Sequence, residues 1–197
     1  MEDKFGCCAE QLSHCINKLC SFIWDEWGFL LDFDTCRLTT VKLSEYAGAI
    51  HTAGALIDLI WAFLDCTIIP ICRPGDDQDV SYNGYISNHA TKYQGATAPD
   101  GIIVYCYRPE VRDLTRDEQE FNNLMSKYRE CVEWLFGKVV NYWCFVDLCS
   151  HLKLHLSPIG KYYLIAVLLM NAHTCLHGSQ TSHYFDCPPL SLEEYFT

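Results

Sequence analysis

The stretch Trp61-Ala62-Phe63-Leu64-Asp65-Cys66-Thr67-Ile68-Ile69-Pro70-Ile71-Cys72-Arg73-Pro74 decides how this chain is read. It is the heart of an apolar run from Ile57 to Cys72 that is rich in β-branched residues, broken at Pro70 and ended by Arg73-Pro74. Branched side chains suit a pleated, buried surface, and proline is tolerated at the margins of a sheet, so a buried strand is expected over the run. Asp65 sits at the end of its first apolar segment. A charged group in such surroundings needs a partner or a function. It is either a working carboxylate or a strand-end Asp held by the Thr67 hydroxyl or a turn amide.

Upstream of the strand the pattern is helical. Leu12, Cys15, Ile16, Leu19, Phe22, Ile23 and Trp27 form the stripe of an amphipathic helix. A second helix is expected from Val41 to Thr52, with Gly54 placed to end it. Downstream, Gly75 to Gly84 is polar and turn-rich and reads as a loop. Strand character returns in Thr91 to Ala98 and again in Ile102 to Tyr107, joined by the turn Pro99-Asp100-Gly101 into a hairpin. Beyond Asp113 the chain reads as helix. Thr115 and Glu118 form a capping box, Ser157-Pro158 opens a last long helix, and Gly178 follows its end. The order is helix, helix, three strands, then helices, which suggests an α/β or α+β domain with a small helical N-terminal arm.

Composition narrows the function. A formal charge of −11 argues against strong attraction to a phosphate backbone, because that attraction comes from clustered Lys and Arg. A nucleic-acid substrate would need its grip from a partner. The 13 cysteines are odd in number, contain no C-x-x-C pair and lie within apolar helix and strand patterns. Buried, reduced thiols in a nuclear or cytoplasmic protein are expected, with no membrane partner. The longest apolar run, Tyr162 to Met170, is too short to span a bilayer and reads as a core helix.

Two further groups carry possible chemistry. In Arg129-Glu130-Cys131-Val132-Glu133-Trp134-Leu135-Phe136-Gly137-Lys138, the residues Val132, Leu135 and Phe136 give a helix an apolar face. Glu133 borders that face, whereas Glu130 points elsewhere on the turn. Read alone, Glu133 is an ordinary solvated helix residue. His151 and His155 stand four apart, as do His173 and His177, with Cys175 between the latter pair. Helical histidines at that spacing can bind zinc, but no H-E-x-x-H signature occurs, and surface histidines are the competing reading. His183 would join them only in three dimensions.

Several of these segments, in order, resemble the DDE domain of Harbinger-type transposases and their domesticated nuclease relatives. The resemblance runs through Ile60 to Pro74, His89-Ala90-Thr91-Lys92-Tyr93-Gln94 and Ala98-Pro99-Asp100-Gly101. Asp65-Cys66-Thr67 stands where the family has Asp-Gly-Thr. The helix motif is met by Arg129, Val132-Glu133, Phe136-Gly137 and Lys138. The Pro-Val-Gly-Lys-like segment is met by Ser157-Pro158-Ile159-Gly160-Lys161-Tyr162-Tyr163, and the match extends to the tail Leu192-Glu193-Glu194-Tyr195.

The resemblance implies an α/β fold with a ribonuclease H-like mixed sheet flanked by helices. A helical arm would occupy 1–56 and a shortened nuclease-like domain 57–197. It implies Asp65 and Glu133 as catalytic, metal-holding acids in a magnesium- or manganese-dependent nuclease that cuts phosphodiesters on DNA. It also implies a Myb-like DNA-binding companion. The family's second Asp has no match here, because only Arg108 to Asp113 separates the hairpin from the capping Thr115. Asp100 fits its turn without further explanation, and no motif supports Asp113. A missing fourth strand would leave the Asp65 strand with a bare edge, open to a homodimer. A nuclease-like protein of the metal-dependent phosphodiester-cleaving class is expected, with its catalysis impaired by the absent acid. The alternatives are an active nuclease with an unseen third acid, a non-catalytic domesticated module that binds DNA or protein without cutting, and a truncated product without activity.

Overall fold

The computed structural model describes residues 6–75, 78–107, 135–147 and 159–197. Glu133, Asp113, the Thr115 capping box, His151, His155 and Ser157-Pro158 lie outside the described residues.

Helix α1 spans Ala9–Trp27, and a 3-10 turn, Gly28–Leu31, follows it directly. The Gln11 side chain caps α1 by accepting from the Cys8 N–H at 3.3 Å. The expected amphipathic stripe is there, but none of the helix is fully buried. Ile23, Trp24 and Trp27 pack on the core, while Ile16, Leu19 and Phe22 stay exposed. The stripe is wider than the surface that receives it. Helix α2, Thr40–Thr52, is capped by the Thr39 hydroxyl and ends where Gly54 turns the chain at φ 106°. Only glycine adopts that backbone without strain, which is why the end of α2 is legible in the sequence.

Strand β1 is Phe63–Pro70, shorter than the expected run. Residues 57–62 form no strand, and Ile57 and Leu59 are 43% and 79% exposed. Apolar composition extended the expectation past the point where hydrogen-bond partners exist. The segment read as loop holds a four-residue helix α3, Gln78–Ser81, and a two-residue strand β2, Tyr82–Asn83. Strand β3, Asn88–Thr97, and strand β4, Ile103–Tyr107, complete the sheet. The strand β3 is central, with β1 along one edge and β2 and β4 in succession along the other. The pairings among the described residues are all antiparallel. The architecture is therefore α/β, a four-stranded antiparallel sheet flanked by helices.

Helical residues 135–142 (α4), a 3-10 turn at Cys144–Asp147, and α5, Ile159–His177, follow the sheet. A short helix α6, Gln180–Tyr184, follows Gly178, and another, α7, Leu192–Tyr195, lies in the C-terminal tail. That tail is anchored, because Tyr195 is wholly buried. Leu30, Leu31, Tyr46 and Ile50 of the 1–56 segment share one core with Phe63, Ile69, Tyr93 and Ile103 of the sheet and Tyr163 and Val167 of α5.

The hairpin tip is a tight turn. The Gly101 N–H donates to the Ala98 carbonyl at 3.0 Å, and the Ala98 N–H donates to the Ile102 carbonyl at 3.0 Å. Gly101 has φ 84°, and a Cβ placed on it would lie 2.0 Å from the Ser179 Oγ. The tip is thus pressed against the junction of α5 and α6. A second clamp lies beside it. The buried Asn171 of α5 accepts from the Ile103 N–H at 2.9 Å and donates to the Ile103 carbonyl at 2.8 Å and to the Tyr195 hydroxyl at 2.8 Å.

The eleven described cysteines are free thiols, but the expectation of burial fails for most. Cys106 is buried, whereas Cys8, Cys15, Cys36, Cys66 and Cys144 are exposed. Cys8 and Cys15 sit at or on the helix with no fully buried residue, and Cys66 lies on the outward face of β1.

Asn171→Leu should destabilise the chain by about 3 kcal/mol, because it strands both backbone groups of Ile103 in the core. The midpoint of urea unfolding measures this, and a change below ~1 kcal/mol would show that the clamp contributes little. Gly101→Ala should cost about 2–4 kcal/mol by the same measurement, from an unfavourable positive φ and the collision with Ser179 together. Wild-type stability in that variant would mean that the tip moves freely from the helix junction.

Candidate functional site

Asp65 is the third residue of β1, not its last. It pairs with Gly95 of β3, and Gly95 in turn pairs with Cys106 of β4. Directly paired residues share a face, so Asp65, Gly95 and Cys106 form a row across the sheet. The same face carries Phe63, Thr67 and Ile69 of β1 and Tyr93 and Thr97 of β3, by the two-residue alternation of strands. This is the covered face. Tyr93 stacks on Tyr163 of α5 with ring centres 4.3 Å apart. A Cβ on Gly95 would lie 2.7 Å from the Phe136 ring tip, so the bare glycine is the seat of α4 on the sheet.

Asp65 is half-buried there, and among the described residues its carboxylate has no hydrogen bond or ion pair. The bland alternative, an Asp held by Thr67 or a turn amide, is therefore not what the fold contains. Cys106, two strands away in the row, is sealed from chemistry, because burial pushes its thiol up to about 12.

Asp100 is wholly buried at the hairpin tip, beyond the end of the β1–β3 pairing. Its Oδ1 accepts from the Ile102 N–H at 3.0 Å and its Oδ2 from the Tyr46 hydroxyl at 2.5 Å. Both oxygens are committed to the fold. The turn was legible in Pro99-Asp100-Gly101, but the Tyr46 partner, 54 residues earlier, was not. Burial raises the pKa of Asp100, opposed by the Tyr46 hydroxyl, the Ile102 amide, Lys42 and Arg37. Arg37 and Lys42 line a cavity of about 150 Å³ next to this carboxylate.

A magnesium ion takes six oxygens, and two ions need several carboxylates to offset their charge. Among the described residues no three His, Cys, Asp or Glu side chains lie close enough to share a metal. Asp65 alone does not hold a metal pair, and no catalytic step follows from it. Its expected partner Glu133 and the substitute Asp113 lie outside the described residues. His173 and His177 do stand side by side on α5, with ring centres 4.6 Å apart. Neither Cys175 nor His183 makes a group of three with them.

No family, curated protein or solved structure matches the chain. No helix among the described residues is long and apolar enough to cross a membrane.

Asp100 gives a testable dependence on pH. Its folded pKa lies above that of an unfolded aspartate, so the folded chain keeps a proton that the unfolded chain has already released. The stabilisation is complete below the ordinary carboxylate range near ~4 and is lost as pH rises through the folded value. Between pH 4 and pH 7 the wild-type chain should therefore lose more stability than Asp100→Asn, which stays neutral. Urea unfolding of both at the two pH values checks this, and equal losses would remove Asp100 as a source.

Proposed function

We propose that this chain is a shortened relative of the Harbinger-type DDE nucleases that keeps the acid of the first strand but not a complete two-metal site. On this reading it belongs to the metal-dependent, phosphodiester-cleaving class by descent and is catalytically impaired. The observation that carries the reading is the setting of Asp65. It is a half-buried carboxylate with no hydrogen bond or ion pair among the described residues, within a strand, on the face that the helices cover. A carboxylate on a covered sheet face favours a partner or a ligand that offsets its charge.

A second support comes from the chain's order. Phe136 rests on Gly95, the residue opposite Asp65, and belongs to the motif Val132-Glu133 … Phe136-Gly137-Lys138. Two separate segments of the resemblance therefore meet at one place on the sheet. Glu133 precedes Phe136 by three residues, and we assign it as the second acid, with magnesium or manganese as the ion. The ribonuclease H-like identity of the sheet belongs to the same proposal. So does the missing fourth strand, since β3 is the one strand that pairs with β1 among the described residues. DNA would be a weak ligand for a chain of charge −11, and a basic, Myb-like companion would supply the grip in a nucleus.

The experiment is a titration with manganese followed by NMR, because the paramagnetic ion broadens nearby amides. Broadening should centre on residues 65, 95 and 106. It should disappear in Asp65→Asn and weaken in Glu133→Gln, while duplex DNA stays uncut. Broadening that persists in Asp65→Asn, or is indifferent to Glu133→Gln, would remove the assignment. Duplex cleavage that Asp65→Asn abolishes would instead restore an active nuclease.

A further inference from the structure

We propose that His173 and His177 form a two-imidazole site for a borderline divalent transition metal, with zinc as its ion. The pair lies near the C-terminal end of α5, and the site is independent of the carboxylate chemistry proposed for Asp65. The geometry comes first. The two ring centres are 4.6 Å apart and their planes are inclined at 51°. Zinc holds imidazole nitrogen at ~2.0–2.1 Å, and two imidazoles on one tetrahedral ion have ring centres about 5 Å apart. The rings therefore stand close to chelating separation before any ion arrives.

Which nitrogens would bind follows from burial. The Nδ1 of His173 is buried and has no hydrogen-bond partner, which leaves Nε2 as its outward nitrogen. His177 is exposed, so its ring is free to turn toward the same point. Tyr142 of α4 packs on His173 with ring centres 4.7 Å apart, which restrains that ring and lowers the entropy lost on binding. Burial, the neighbouring His177 and Lys138 hold the pKa of His173 below its ordinary value.

The same surroundings set the limits of the site. No third His, Cys, Asp or Glu joins the pair among the described residues, so within them the remaining coordination positions fall to water. Lys138 brings a positive charge near His173 and weakens the attraction for a dication. The site is thus an open, two-ligand chelate rather than a closed structural zinc centre. Imidazole nitrogen also discriminates against magnesium, which prefers oxygen.

The test must separate these rings from the chain's 13 cysteines. The full chain, with thiols reduced, is titrated with zinc chloride while the histidine ring Cε1–H resonances are followed by NMR. The resonances of His173 and His177 should move together at one midpoint. In His177→Ala, an exposed position where the fold is kept, the His173 midpoint should rise at least ~tenfold, because the second ligand no longer acts within one chelate. Lys138→Ala should lower the midpoint. Zinc uptake that consumes free thiol while neither ring moves would overturn the site. So would a His177→Ala chain whose His173 titrates at the wild-type midpoint.

Discussion

The side-chain amide of Asn171 satisfies both backbone groups of Ile103, and this pair of bonds fixes α5 to the sheet. It stands where a further strand would otherwise complete the ladder at the start of β4. An amide is the natural choice, because it presents one acceptor and one donor in a plane, as a peptide unit does. Its second donor reaches the Tyr195 hydroxyl, so one side chain joins a helix, a strand and the C-terminal tail. Tyr195 in turn lies under the Arg37 guanidinium, 4.8 Å from the ring centre, and Arg37 is held by Asp34 at 2.7 Å. A partly broken network of this kind costs more than an apolar core would, since each stranded group loses both water and its partner.

That clamp works together with the turn beside it. Gly101 brings the hairpin tip against Ser179, and Asp100 locks the turn from inside through Ile102 and Tyr46. The two contacts fix where β3 emerges beneath the helices. Gly95 then lies where Phe136 can rest on it, and its strand partner Asp65 faces the same helices. The position of the candidate acid is therefore a consequence of polar contacts made elsewhere, at the opposite edge of the sheet.

What was legible in the sequence follows the range of the forces involved. The ends of α2 and α5 and the β3–β4 turn were readable because Gly54, Gly178 and Pro99-Asp100-Gly101 impose backbone geometry locally. The start of β1 was not, because apolar composition already begins at Ile57 and continues through Leu59, both of which the fold leaves exposed. The short α3, α6 and α7 escaped notice since a single turn of helix leaves no periodicity to read. Asn171 with Ile103, 68 residues apart, and Tyr46 with Asp100, 54 apart, are pairings that no local pattern announces. For the site, Asp65 stood out because charge in an apolar run is costly. Its setting on a covered face opposite a glycine could not be read without the register.

The two candidate ligand sites differ in how much of their chemistry the fold itself supplies. A hard dication on Asp65 would have to find most of its oxygens away from that single carboxylate, and its case rests on segments that converge in space and resemble one family in order. The histidine pair requires no such assembly, because a four-residue spacing on one helix already sets two imidazole rings side by side. Local geometry of that kind survives shortening of a domain, whereas a constellation drawn from distant strands and helices does not. Under the proposed ancestry, a shortened chain would keep contacts within a helix more readily than a metal pair spread across several elements. On those two proposals a borderline imidazole site and an incomplete carboxylate site are compatible in one molecule, each reflecting how far apart in sequence its ligands lie.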